Sequence, residues 1–211
     1  NTPGFFERHA EVLASVQITS PHGQRAVSLQ ERQAEMLREK IKGLEHRIMD
    51  MVRNSNDNTA IATKVHQWTS ALLRVKDPFD LPEAVVSGIR TLFDVPQAAV
   101  RVWTVAGPYI DADFTQGASE DARAFASSLT MPFCGPNLGF EPAGWLAQEA
   151  GEPAQSLALL PLREGAIDSA TPAFGLLVLG SPDPQRFDAT MGTEFLSRIA
   201  ELASAALVRL K

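Results

Sequence analysis

Few residues of this chain combine the types and the spacing that catalysis requires. The sequence has four histidines, at positions 9, 22, 46 and 66. Residues beyond 66 therefore provide no imidazole for a metal ion, a haem or general-base catalysis. Cys134 is the only cysteine, and the Gly-Pro that follows it brings no histidine next to the thiol. Because a thiol nucleophile needs such a base, the sequence predicts no catalytic residue, no metal site and no cofactor.

Aromatic and cationic side chains of the C-terminal part could instead line a ligand pocket. Four glycines lie between residues 134 and 151, a composition typical of a flap that closes over a cavity. Arg101 and Arg163 could each bind an anion through two hydrogen bonds, but ion pairs with nearby acids are the favoured interpretation. Ordinary core packing is likewise favoured for the aromatic residues and for Cys134. The pocket candidates are Arg101, Trp103, Phe114, Phe133, Cys134, Phe140, Trp145 and Arg163.

The charge distribution argues against nucleic acid as a direct ligand. The net charge is −6, with 11 basic and 9 acidic residues over positions 1–77, but 8 basic and 16 acidic residues over positions 78–211. The larger part would therefore repel a phosphate backbone. A single cysteine favours a reducing compartment, and no apolar run approaches the roughly 20 residues that span a bilayer. We therefore expect a cytoplasmic protein that binds neither DNA nor membrane directly.

A long amphipathic helix is the first element that the sequence predicts. Ser28 and Glu31 have the spacing of a capping box, and Pro78 ends the helical pattern. We therefore expect a helical stalk over residues 28–76, after a short helix and loop over residues 1–27. A continuous or gently kinked helix is favoured over a break at the polar residues 54–58. The apolar residues are alternately three and four apart, and this spacing predicts a seam that a second helix covers. The seam residues are Leu37, Ile41, Leu44, Ile48, Met51, Val65 and Leu72.

Residues 78–211 are predicted to form one α+β domain. Apolar and β-branched runs indicate strands, and apolar residues at helical spacing indicate the helices between them. This order predicts an antiparallel sheet with helices on one face. The predicted strands are 98–105, 109–114, 131–138, 156–162 and 174–180, and the predicted helices are 81–93, 119–129 and 190–210.

The order of elements resembles a GAF domain, and several stretches resemble a bacterial family catalogued as domain of unknown function 484. These stretches include Phe5-Phe-Glu-Arg-His, Ala158-Leu-Leu-Pro-Leu, Gly175-Leu-Leu-Val-Leu-Gly-Ser and Met191-Gly-Thr-Glu-Phe-Leu. The resemblance implies a GAF-like fold without an established activity. It also suggests an interaction with a tyrosine recombinase of chromosome-dimer resolution. The signature for cyclic nucleotides is missing, and so is the histidine that usually accompanies a bilin-binding cysteine.

These observations together predict a non-catalytic sensory or scaffolding module in signalling. We expect a homodimer that pairs through the stalk and binds a protein, a small molecule or both. The alternative is a small-molecule sensor whose flap, residues 134–151, closes over its ligand. The least favoured alternative is an enzyme that uses Asp111 and Asp113 as paired carboxylates on a strand.

Overall fold

The computed structural model describes residues 29–146, 152–188 and 193–211. The chain divides into two compact units, Asn1–Ala60 and Ile61–Lys211. Helix α1 extends without interruption over Leu29–Arg74. The prediction of a continuous helix is therefore confirmed, and the polar residues 54–58 do not break it. The short helix and loop predicted over residues 1–27 lie outside the described residues.

The C-terminal part of helix α1 belongs to the second unit. Trp68 is fully buried and Leu72 is nearly so, and both lie in the hydrophobic core formed there. Trp68 packs edge-on against Phe93, with 6.2 Å between the ring centroids. The predicted stalk over residues 28–76 therefore extends too far, because residues 61–74 help to form the core of the globular unit.

The second unit is built on a four-stranded antiparallel sheet in the order β1-β4-β3-β2. Val178 of the central strand β4 lies between Ala99 and Leu159 in the register. Strands β3 and β4 are buried along their whole length. Cover on both faces explains why their sequences are continuous apolar runs rather than alternating ones. The strands are β1 (Gln97–Val102), β2 (Phe133–Pro136), β3 (Ser156–Leu162) and β4 (Gly175–Ser181).

In the described part of this unit, three further α-helices cover opposite faces of the sheet. Helix α2 (Leu81–Leu92) and helix α4 (Glu194–Leu207) share one core with the end of α1. Helix α3 (Glu120–Ser128) and the 3-10 turn Glu141–Trp145 contribute to a separate core, on the other face. The predicted α+β fold with an antiparallel sheet is confirmed. The structure corrects one detail, because α3 does not share the face of the other helices.

Residues 107–115 differ from the prediction of a strand over 109–114. They form two 3-10 turns, Gly107–Tyr109 and Asp113–Thr115. The Thr115 hydroxyl donates to the carbonyl oxygens of Ala112 and Ile110, at 2.7 and 2.9 Å. Such local side-chain bonds compete with pairing in a sheet. Asp111 and Asp113 therefore do not alternate along a strand, and the paired-carboxylate hypothesis loses its geometric basis.

The last helix begins at Glu194, after Thr193. The earlier start that the sequence predicts, at residue 190, falls on residues outside those described. Within the described ranges, no helix combines the length and the apolarity that crossing a membrane requires.

Candidate functional site

An apolar stripe on helix α1 is exposed in the described part of the first unit. Its five members are between 47% and 70% exposed. They are spaced four, three, four and three residues apart, so they lie along one side of the helix. Isolated exposed apolar residues are common on protein surfaces, but a periodic row of this kind usually marks an interface. The stripe consists of Leu37, Ile41, Leu44, Ile48 and Met51.

The two remaining seam candidates lie in the second unit. Val65 is half-buried, and Leu72 is 4% exposed. Leu72 packs in the core of its own unit, together with Trp68 and Leu81. The prediction that Leu72 forms part of a seam between two chains is therefore wrong. The stripe that is available to a second helix is limited to residues 37–51.

Some of the pocket candidates meet on the face of the sheet that α3 covers. Phe140 stacks on Phe125, with ring centroids 5.8 Å apart, and packs edge-on against Phe133 at 5.3 Å. Trp103 lies in the same core and donates from Nε1 to the Ala173 carbonyl oxygen at 2.7 Å. The three phenylalanine rings contact one another and Trp103 is buried in the same core, in agreement with the favoured interpretation.

The 3-10 turn Glu141–Trp145 is fastened above this cluster by polar contacts. Ser119 caps α3 by accepting from the backbone N–H of Ala122, and its own N–H and hydroxyl donate to the Glu141 carboxylate. These bonds lower the pKa of Glu141. Trp145 Nε1 donates to the Gly117 carbonyl oxygen at 2.9 Å. The sequence predicts a helix from residue 119 but gives no sign of the contact with Glu141, because no local pattern links residues that are 22 positions apart.

Phe114 and Cys134 lie away from this aromatic cluster. Phe114 packs against the core that α2 and α4 share with the end of α1, and it contacts Phe79, with 5.7 Å between ring centroids. Cys134 is buried in that same core. Burial raises the pKa of its thiol to about 11. A thiol with this pKa stays protonated near neutral pH, and the protonated form is a poor nucleophile.

Arg163 is the most deeply buried charged residue among those described, with only 4% of its surface exposed. Its Nη2 donates to the carbonyl oxygens of Ser127 and Leu129, at 2.6 and 2.8 Å. Its Nη1 donates to Ser169 at 3.2 Å and to Thr171. The guanidinium therefore joins the C-terminal end of α3 to the loop between β3 and β4. Neither predicted role, an anion site or an ion pair, describes this residue.

Arg101 is half-buried on strand β1. Burial lowers the pKa of its guanidinium, while the nearby Asp113 carboxylate raises it. Its Nη1 donates to the Val100 carbonyl oxygen at 3.2 Å. The predicted association with an acid therefore fits this residue better than it fits Arg163.

Two open grooves lie on the surface of the second unit. One has a volume of about 340 Å³ and is lined by residues 128–134 and Thr193. The other has a volume of about 360 Å³ and lies beside Arg163, where Glu164 and Glu201 also line it. Neither groove gathers the predicted pocket set. Among the described residues, no three His, Cys, Asp or Glu side chains are grouped as metal ligands.

Comparison with protein families agrees with the resemblance noted in the sequence. The family described as "Protein of unknown function, DUF484" matches residues 1–211, the full length of the sequence. The chain belongs to this family. Membership had been predicted from stretches at both ends of the chain, and it is confirmed. No curated protein matches this DUF484 chain significantly.

Similar solved structures include two GAF domains. One is the GAF domain of a putative sensor histidine kinase from Pseudomonas syringae pv. tomato, with 16% identity and a TM-score of 0.46 over 74% of this DUF484 chain and 91% of that one. The other is the nlh2 GAF domain of A. Aeolicus in an inactive state, with 11% identity and a TM-score of 0.47 over 73% and 99% of the two chains. Similarity of this strength transfers no activity or ligand to the present chain.

Proposed function

We propose that this DUF484 protein is a non-catalytic module that pairs with a second copy through the stripe and recognises other molecules through its globular unit. The observation that carries the proposal is the exposure of the stripe. Full burial of a Leu, Ile or Met side chain contributes about 1.5–3 kcal/mol, so each half-exposed member forgoes on the order of 1 kcal/mol. Because five such residues lie in one row, association with a partner that buries the stripe is favourable in free energy.

A second copy of the same helix is the occupant that the stripe fits. A row with heptad spacing is complementary to an identical row, since each side chain inserts between side chains of the facing helix. Charges of both signs flank the row: Lys40 and Arg47 on one side, Arg38 and Glu45 on the other. The side that includes Glu45 can pair with the basic side of a second copy, whereas flanks that carried only basic residues would repel each other.

The chemistry of the globular unit supports recognition rather than catalysis. Its thiol is buried and protonated, and its most buried arginine is occupied by backbone carbonyl oxygens. The sequence supplies this unit with a single histidine, His66, which is exposed on α1. A hydrolytic or transfer reaction would need a nucleophile and a base in contact, and these residues do not provide such a pair.

Charge substitution in the stripe tests the proposal. Leu44→Glu with Ile48→Glu should convert a dimer into a monomer, measured by light scattering or by sedimentation. The matched control is Met36→Glu with Met49→Glu, since these residues are 60% and 66% exposed on the same helix but lie off the stripe. The control should remain dimeric. A wild-type monomer, or a dimer that survives the stripe substitutions, would refute pairing through this surface.

A small-molecule sensor is the second candidate function. The aromatic cluster lies under a turn that is fastened mainly by the Ser119–Glu141 and Trp145–Gly117 contacts. Release of those contacts would uncover apolar rings, which small ligands commonly contact. A metabolite panel should then contain a compound that raises the melting temperature of the wild type but not of Trp145→Ala. If no compound stabilises the wild type, scaffolding is the better account. A tyrosine recombinase is the protein partner that the family resemblance suggests, and co-elution of the two purified proteins would test it.

A further inference from the structure

We propose that the two α1 helices pair in parallel and in register, an inference that rests on the dimer proposed above. It draws on the residues that flank the stripe and on the shapes of the stripe residues themselves. Leu37, Leu44 and Met51 occupy the d positions of the heptad, and Ile41 and Ile48 occupy the a positions. The charged flanking residues then fall at positions e and g, which border the seam.

The stripe residues have the shapes that a parallel pair prefers. Isoleucine occupies two consecutive a positions, 41 and 48, and leucine occupies the d positions 37 and 44. In parallel coiled coils, β-branched residues at a with leucine at d favour two strands over three or four. Within a parallel arrangement, this combination therefore indicates two helices, and the direction is argued from the flanking charges.

In a parallel pair, each g residue faces the e residue five positions later on the other helix. Lys40 then faces Glu45 of the partner subunit, and the two-fold symmetry forms this attractive pair twice. Arg47 faces the apolar Val52 of the partner subunit. None of the four charged flanking residues meets a like charge in this arrangement.

Antiparallel pairing instead brings g residues opposite g residues and e residues opposite e residues. In a register centred between positions 42 and 43, Ile41 would pack on Leu44 of the partner subunit. Lys40 would then face Arg47 of the partner subunit, and this repulsive pair would form twice. The attraction between Arg38 and Glu45 on the other side would do no more than offset it.

An antiparallel register centred on residue 46 also pairs four of the five stripe residues, but it brings like charges together without any attractive pair to offset them. Leu44 would pack on Ile48 of the partner subunit. Arg47 would face its own copy, and Glu45 would face its own copy on the other side of the seam. Exposed pairs are individually weak, so we expect parallel pairing to be preferred on the order of ten-fold over either antiparallel register.

Disulfide formation tests the orientation directly. Met51→Cys is made in a Cys134→Ala background, so that the new thiol is the only one. In a parallel pair, position 51 faces its own copy within disulfide distance. In the antiparallel registers its own copy is about 25 Å or about 15 Å away along the helix, at 1.5 Å per residue. Oxidation should therefore link the parallel pair into a covalent dimer on a non-reducing gel. Glu39→Cys, which faces away from the seam, is the matched control and should not link.

The outcomes separate the orientation from the dimer itself. A dimeric Met51→Cys variant that does not cross-link would overturn parallel pairing and leave the dimer in place, whereas a monomeric wild type would overturn both. Lys40→Glu adds an independent measurement. This substitution should weaken a parallel dimer several-fold, because a carboxylate at position 40 would face the Glu45 carboxylate of the partner subunit. Adding Glu45→Lys should restore the affinity. A stronger or unchanged dimer with Lys40→Glu alone would contradict the parallel arrangement.

Discussion

Arg163→Met should lower the free energy of unfolding of the second unit by about 3–4 kcal/mol. The guanidinium donates to five carbonyl oxygens, three at the end of α3 and two in the loop after β3. A buried acceptor without a partner costs about 1 kcal/mol or more, and water can reach some of the loop carbonyl oxygens, which reduces the sum. Arg163→Lys keeps the charge but lacks the planar guanidinium whose two ends reach both segments, so the free energy of unfolding should fall by about half as much.

Urea unfolding followed by tryptophan fluorescence would measure both Arg163 variants. The control is Arg198→Met, because Arg198 is exposed and pairs with Glu194 one helical turn away, at 3.1 Å. That substitution should change stability by less than about 0.5 kcal/mol. If Arg163→Met loses less than about 1 kcal/mol, the residue does not hold the two segments together. An anion-binding role would then become the better explanation.

Two glycines and one carboxylate give further predictions. Gly88→Ala would place a methyl group 2.4 Å from Cδ1 of the fully buried Trp68, so the free energy of unfolding should fall by about 1–3 kcal/mol. Gly43→Ala meets nothing within 4 Å and should stabilise the helix by up to about 1 kcal/mol. Thermal unfolding followed by circular dichroism measures both. A gain at position 88 would contradict the packing of the indole. Ser119 lowers the pKa of Glu141, so this carboxylate contributes stability above its unfolded-state pKa and loses that contribution as the pH falls through its lower folded-state value. Glu141→Gln should therefore destabilise the protein near pH 7 and have little effect near roughly pH 3, and an effect independent of pH would refute the role of the charge.

Local signals in the sequence were enough to predict most elements of the second unit. Strand β3 has the bounds that the sequence predicts, and α3 (Glu120–Ser128) lies within the predicted helix 119–129. Such elements are recognisable because their apolar pattern and their end residues lie within a few positions of each other. The face of the sheet that α3 covers depends on how the chain crosses the sheet. No local pattern encodes that choice, and the prediction of a single helical face was wrong on this point.

The candidate site was less predictable because its decisive contacts are distant in sequence. Arg163 reaches carbonyl oxygens 34 and 36 residues earlier, and carbonyl oxygens have no sequence signature. An arginine among acidic residues was therefore expected to pair with an acid or an anion, and the structure shows a different set of partners. The aromatic candidates divide between two cores for a similar reason. Their residue types predict burial, but Phe114 lies in a 3-10 turn and Phe133 on strand β2, and the path of the chain decides the face on which each is buried.

Helix α1 shows how a single periodic pattern can serve two purposes. The spacing of three and four is interrupted at the polar residues 54–58 and resumes toward Leu72, and it does not show that its two ends are covered differently. Leu72 is covered by the core of its own unit, whereas Leu44 is about half exposed. Periodicity therefore identifies the side of a helix that is to be buried, but it does not identify what buries it. For residues 37–51 the missing information comes from the flanking charges and from the alternation of isoleucine and leucine. Those features would have no role in a stripe that stays in water, so a dimer that ignored them in the cross-linking and charge-reversal measurements would remove the reason for assigning the stripe to a second copy.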